Sequence, residues 1–229
     1  MARYVAFQST EQLHNTTDGF IQRMKGPQPR LEPATVEAIM TEFLQQALTV
    51  FFLRPSELVG LSGGLKRAVA LTADTINKAS QLVVRRATKK LDLAQHRQTA
   101  DYMDEMRRMI PDAEGTETWY VVFPIDSALA DKLERARELC EANDPTAARP
   151  LLVEYLHEMT DVALHWYFER PIALLGFGPI LRKVADVALH TTSKATHAVI
   201  RRVFAELEGE QVTHATLYMH SLLQEIGTD

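Results

Sequence analysis

A single cysteine, Cys140, stands in a chain of 229 residues. An intramolecular disulfide is therefore excluded, and a reducing, cytoplasmic setting is the expectation. A cationic excess is missing too: the net charge of −5 and pI near 5.9 argue against nucleic acid as the partner, because phosphate binding wants a positive surface. In the second half the uncharged run Pro171 to Leu181 falls far short of the roughly 20 residues a membrane-spanning helix takes. The start Met1-Ala2-Arg3-Tyr4 has no signal-peptide pattern. There is no Gly-rich phosphate loop, no paired-cysteine motif, no nucleophile elbow and no kinase-type signature. A protein without chemistry or cofactor of its own is the expectation.

What the chain does have is likeness to itself. Arg54-Pro55-Ser56-Glu57-Leu58-Val59-Gly60 recurs as Arg170-Pro171-Ile172-Ala173-Leu174-Leu175-Gly176, a shift of 116. Over residues 42–103 that shift brings 19 of 62 positions into identity, where unrelated sequence of ordinary composition would give roughly 4. Self-similarity at a fixed period implies duplication. The fold expected is mostly α: a tandem duplication of a four-helix unit with pseudo-twofold symmetry, each copy opened by a short β-strand. Residues 1–113 and 119–229 are the two repeats, and 114–118 is the linker.

Tyr4–Phe7 and Trp119–Phe123 are short, apolar and aromatic, hence strands that pair with each other. Helices are expected over Thr10–Met24 (with Ser9 and Gln12 spaced as a capping box), Ala34–Phe52, Leu65–Leu91 and Leu93–Ile110. In the second copy they fall at Ser127–Glu141, Leu151–Phe168, Ile180–Leu207 and Glu210–Ile226. Arg54-Pro55 and Arg170-Pro171 are expected to end their helices, since proline lacks an N–H and restricts its predecessor, with Gly60 and Gly176 permitting the turn. Cys140 belongs to packing.

Candidate functional residues divide in two. On the long helix, Arg67, Asp74, Lys78 and Arg85 are matched by Lys183, His190, Lys194 and Arg201. Spacings of seven and four keep them on one side of the helix. They fit either a basic cleft between the repeats, holding an anionic small molecule or a protein partner, or an ordinary solvated face. Glu42 and Glu158, shared by the copies, are expected to pair with the shared basic residues. Six of the eight histidines lie in the second copy. There Glu154, His157, Glu158 and His165 share one helix, and Glu-x-x-His is half of a di-iron carboxylate signature. A metal-dependent enzyme at those four residues is one alternative reading. A peripheral lipid- or granule-surface binder using the apolar stretch 171–181, flanked by cations, is the other. A twofold unit that fused would also leave homo-oligomerisation open.

Overall fold

The computed structural model describes residues 2–111 and 115–227. The chain is mostly helical, with one four-stranded antiparallel sheet. Strand β1 (Ala2–Gln8) leads to α1 (Glu11–Lys25) and α2 (Pro33–Leu48), a π-helical turn Thr49–Leu53, α3 (Arg54–Leu58), α4 (Gly63–Thr88), α5 (Leu93–Glu105) and β2 (Arg107–Pro111). Then follow β3 (Glu117–Ile125), α6 (Ser127–Glu141), α7 (Pro145–Leu164), a second π-helical turn His165–Glu169, α8 (Arg170–Leu174), α9 (Pro179–Glu206), α10 (Gly209–Ser221) and β4 (Leu223–Ile226).

The sheet order is β2-β3-β1-β4. The two expected strands do pair, Val5 opposite Phe123 and Ala6 opposite Val122. The outer strands are a correction. Residues 107–110 and 223–226, expected as the ends of helices, peel away at Met106 and Leu222 and, with Pro111, add to the sheet edges. Both join in the same way: the Val122 N–H donates to the Met106 carbonyl at 2.9 Å, and the Ala6 N–H to the Leu222 carbonyl at 2.8 Å. Pairing with a central strand satisfies the backbone groups that a fraying helix end would leave to water. The expected linker is thus the connection of a β2–β3 hairpin, Glu117 already lying in β3. Asp112, Ala113 and Glu114, and with them the junction placed at 113/114, lie outside the described residues.

Helix starts follow local chemistry. Thr10, not Ser9, caps α1, its Oγ1 accepting from the Leu13 N–H. Asp126 caps α6, and Asp92 with Gln95 forms a reciprocal capping box on α5. Asp144 caps α7, which begins at Pro145, six residues ahead of expectation, because proline suits the first helical position.

The Arg-Pro sites are the second correction: the helices do not stop there. The Arg54 N–H reaches back five residues to the Thr49 carbonyl, and the Arg170 N–H to that of His165. The next donor in that register would be residue 55 or 171, and proline has none. The carbonyls left over are served from elsewhere in the fold. The Tyr218 hydroxyl donates to Val50 at 2.8 Å, and the Tyr102 hydroxyl donates to Trp166. With that debt met, the helix continues through α3 or α8 to Gly60 (φ +61°) or Gly176 (φ +58°), where the left-handed backbone ends it. The two arginines stack on rings rather than serving helix ends. Arg54 lies over Tyr218, and Arg170 over Trp166 and Tyr102 while paired with Glu105.

Two cores lie side by side on one face of the sheet, since Val5 and Phe7 are two apart on β1 and Phe123 and Val121 two apart on β3. Phe7 joins Phe20, Ile21, Ile39 and Ala100 of α1, α2 and α5. Val5 and Phe123 join Leu133, Leu152, Tyr155 and Val212 of α6, α7 and α10. The long helices α4 and α9 pack on each other and over α2 and α7. The late turns of α4 meet the early turns of α9, with Val83 against Ala185 and Ala188, as the small-residue pattern implies. Buried Cys140 sits 3.6 Å from Thr216 Oγ1, a packing role.

Candidate functional site

Between the long helices and the layer beneath lie two apolar cavities, each of about 180 Å³. The first is walled by α7 and α9 and closed by Phe51, Phe52, Pro55 and Val59 from the first π turn and the segment after it. The second is walled by α2 and α4 and closed by Tyr167, Phe168, Pro171 and Leu175 from the second π turn and its following segment. Each π turn thus places aromatic side chains into a cavity wall, and the extra residue in its turn is what re-aims them. Phe43, Leu44, Tyr167 and Phe168 border both cavities, so a single aromatic partition separates them. Phe43 and Tyr167 meet edge-on in it, 4.8 Å between centroids.

A few polar atoms interrupt the apolar lining. Ser80, 3% exposed, borders the second cavity, and Thr192, 4% exposed, borders the first. Their hydroxyls, and that of Tyr167, have no hydrogen-bond partner among the described residues. Burial pushes the Tyr167 phenol well above its usual range, so it stands as a neutral donor. Arg107 also borders the second cavity, but its guanidinium is tied to Asp104 at 3.0 Å and Asp18 at 3.3 Å and stacks on Trp119. The cavities therefore offer apolar surface and uncharged donors, with no free charge at either lining among the described residues.

The residues singled out in the sequence lie elsewhere. Arg67, Lys78, Arg85, Lys183, His190, Lys194 and Arg201 are all exposed, and none borders either cavity. Lys78 pairs with Asp74 at 2.6 Å, and Arg85 with Glu37 at 3.5 Å. The histidine–carboxylate set is likewise dispersed. Lys132 reaches Glu158 at 2.5 Å and Glu154 at 3.5 Å, while His165 pairs with Glu169 at 2.9 Å. His157 turns to stack on His197, 4.7 Å between centroids, which in turn lies 3.1 Å from Asp161. Among the described residues no group of three or more His, Cys, Asp or Glu side chains could hold a metal ion. Glu42 bonds Gln46, so neither shared glutamate pairs with a shared basic residue.

Helix 33–58 is long and apolar enough to cross a membrane. Its apolar side chains are the ones that wall the cavities and fill the core beside α1 and α4. No protein-family model, curated protein or solved structure matches this chain.

Proposed function

We propose that this is a non-enzymatic binding protein that holds uncharged, largely apolar small molecules in its two cavities. The observation that carries the reading is the pair of apolar chambers, each with a buried hydroxyl that finds no partner in the protein. An apolar cavity of roughly 150 Å³ accommodates a benzene-sized molecule, so each chamber takes a compact ring or branched chain. Leaving a buried hydroxyl without a partner costs about 1–3 kcal/mol. A ligand carrying a carbonyl, ether or ester oxygen would recover that cost, whereas a ligand with a full charge would lose its hydration for no counter-charge.

The duplicated, pseudo-twofold organisation belongs to the same proposal. Support comes from contacts that repeat at a shift of 116. Tyr102 with Trp166 and Tyr218 with Val50 are such a pair, and so are the Gln95 side chain on the Leu175 carbonyl and the Gln211 side chain on that of Val59. Ala6 and Val122, opposite each other in the sheet, are themselves 116 apart. The two cavities follow the same relation, Val83, Ala87 and Met103 in one standing where Val199, Val203 and Met219 stand in the other.

The test is a calorimetric titration with acetophenone, an uncharged single-ring molecule that carries a carbonyl oxygen. The wild-type chain should bind two equivalents. Ala163→Leu should remove the site beside α7, and Ala87→Leu the site within α4. Each variant should also gain about 0.5–2 kcal/mol of stability by filling space. No binding by the wild type, or unchanged binding by the double variant, would refute the reading.

A further inference from the structure

We propose that the outward face of α4 and α9 is a docking surface for an anionic lipid bilayer. On each long helix the residues opposite the buried stripe alternate cations with exposed aliphatics. In α4, Arg67, Leu71, Lys78 and Arg85, with one carboxylate, Asp74, among them, fall within about 40° of the direction facing away from buried Ile76, counted at 100° per residue. In α9, Lys183, Val187, Lys194 and Arg201 do the same relative to buried Thr192. Because α4 and α9 pack side by side over α2 and α7, both outer faces look the same way.

The charge on these two helices is out of keeping with the rest of the chain. Helix α4 holds five Lys or Arg against Asp74, and α9 five against Asp186 and Glu206, a net of +7 in a chain whose net charge is −5. Asp74 and, from α2, Glu37 neutralise Lys78 and Arg85. Arg67, Lys183, Lys194 and Arg201 have no carboxylate partner among the described residues. A protein of acidic composition that gathers cations on two adjacent helices has a surface complementary to an anionic one.

The aliphatic residues decide which anionic surface. Leu71 is 65% exposed, Val187 60% and Ile180, at the start of α9, 78%. Nucleic acid would leave these side chains in water against phosphates. A bilayer interface takes the aliphatic side chains into the headgroup boundary while the long basic side chains reach phosphates around them. Leu174, in α8 ahead of α9, is a further exposed aliphatic residue, 43% exposed. It borders the second cavity.

Sedimentation of the full chain with phosphatidylglycerol-containing or pure phosphatidylcholine vesicles tests this, with duplex DNA as a parallel ligand. Pelleting is expected with the anionic vesicles alone, falling steeply between 50 mM and 300 mM salt. The variant Arg67→Glu/Lys78→Glu/Lys183→Glu/Lys194→Glu should lose at least tenfold in bound fraction. Leu71→Ser/Val187→Ser, which leaves the charge intact, should lose several-fold. Thermal unfolding of each variant confirms that the exposed substitutions leave the fold in place. No pelleting with anionic vesicles overturns the proposal, as does equal pelleting with phosphatidylcholine. So does DNA binding of equal strength that the serine variant leaves unchanged. None of these readouts depends on ligand in the cavities, so failure here leaves the cavity reading standing.

Discussion

Replacing Tyr218 with phenylalanine removes one oxygen and leaves the ring in place. That oxygen donates to the Val50 carbonyl at 2.8 Å, inside the π turn where Pro55 provides no N–H. A neutral hydrogen bond of this length contributes about 0.5–1.5 kcal/mol net, and a buried carbonyl left unserved costs about 1–3 kcal/mol. Val50 is half-buried, so water regains part of its carbonyl. The expected loss is therefore about 1 kcal/mol, or about 2–4 °C in Tm for a chain of this size. The decisive measurement is a double-mutant cycle with Pro55→Ala, followed by urea unfolding. Alanine restores an N–H that can serve the Val50 carbonyl in the π register, or the Phe51 carbonyl in the α register. In that background the hydroxyl has little left to do, and Tyr218→Phe should become nearly neutral, a coupling of about 1 kcal/mol. Tyr102→Phe with Pro171→Ala is the matching cycle, on the Trp166 carbonyl. Additive effects within about 0.3 kcal/mol in both cycles would refute the idea that the missing proline donor is what calls for the tyrosine.

Three other expectations follow from the geometry. Gly60→Ala and Gly176→Ala meet no atom within 4 Å of the added Cβ, so each should cost only the left-handed backbone penalty of about 1–2 kcal/mol; a chemical-denaturation midpoint unchanged by either would contradict the turn assignment. Arg170→Lys should fail to rescue Arg170→Ala in a thermal melt, because the planar guanidinium lies 4.0 Å from the Trp166 centroid and pairs with Glu105, a geometry that an ammonium does not reproduce. His157 is held below its usual value of 6.5 by burial first, then by His197 and Arg201, with Asp161 acting the other way. The unfolded chain then binds more protons than the folded one between the depressed folded pKa and 6.5, so stability is full above that window and falls as pH drops through it. Urea midpoints from pH 7.5 to 5.5 should accordingly fall less steeply in His157→Gln than in the wild type; an identical slope would remove His157 from the acid sensitivity.

The long helices, the pairing of β1 with β3 and the left-handed glycines were legible because each rests on local signals: period, β-prone runs and a turn residue. Residues 107–111 and 223–226 were not. Four or five residues hold too little of a period-2 pattern to stand against the helix running into them, and their hydrogen-bond partners lie across the sheet. The π turns were hidden for a related reason. Proline at 55 and 171 announces a missing donor, but only the fold brings Tyr218 and Tyr102 to the carbonyls in question. Phe43, Phe51, Phe52 and Tyr167 carry no signal of a cavity wall in the sequence, because a side chain that borders a cavity and one that fills a core have the same composition. The basic stripe was identified residue by residue, yet a helical wheel does not tell a cleft from an open face; the neighbours of α4 and α9 decide that.

The order of strands in the sheet has a kinetic consequence. Strand β1 takes one neighbour from residues 120–125 and the other from residues 223–226, so both ladders close across more than a hundred intervening residues. Closing loops of that length costs chain entropy before any ladder bond repays it. The helices and the β2–β3 hairpin, whose hydrogen bonds are local, are expected to form before β1 joins the sheet. During that interval Val5, Ala6 and Phe7, all buried in the finished fold, wait as an unpaired apolar edge. Refolding at high protein concentration should therefore go astray first at β1, by strand exchange between chains.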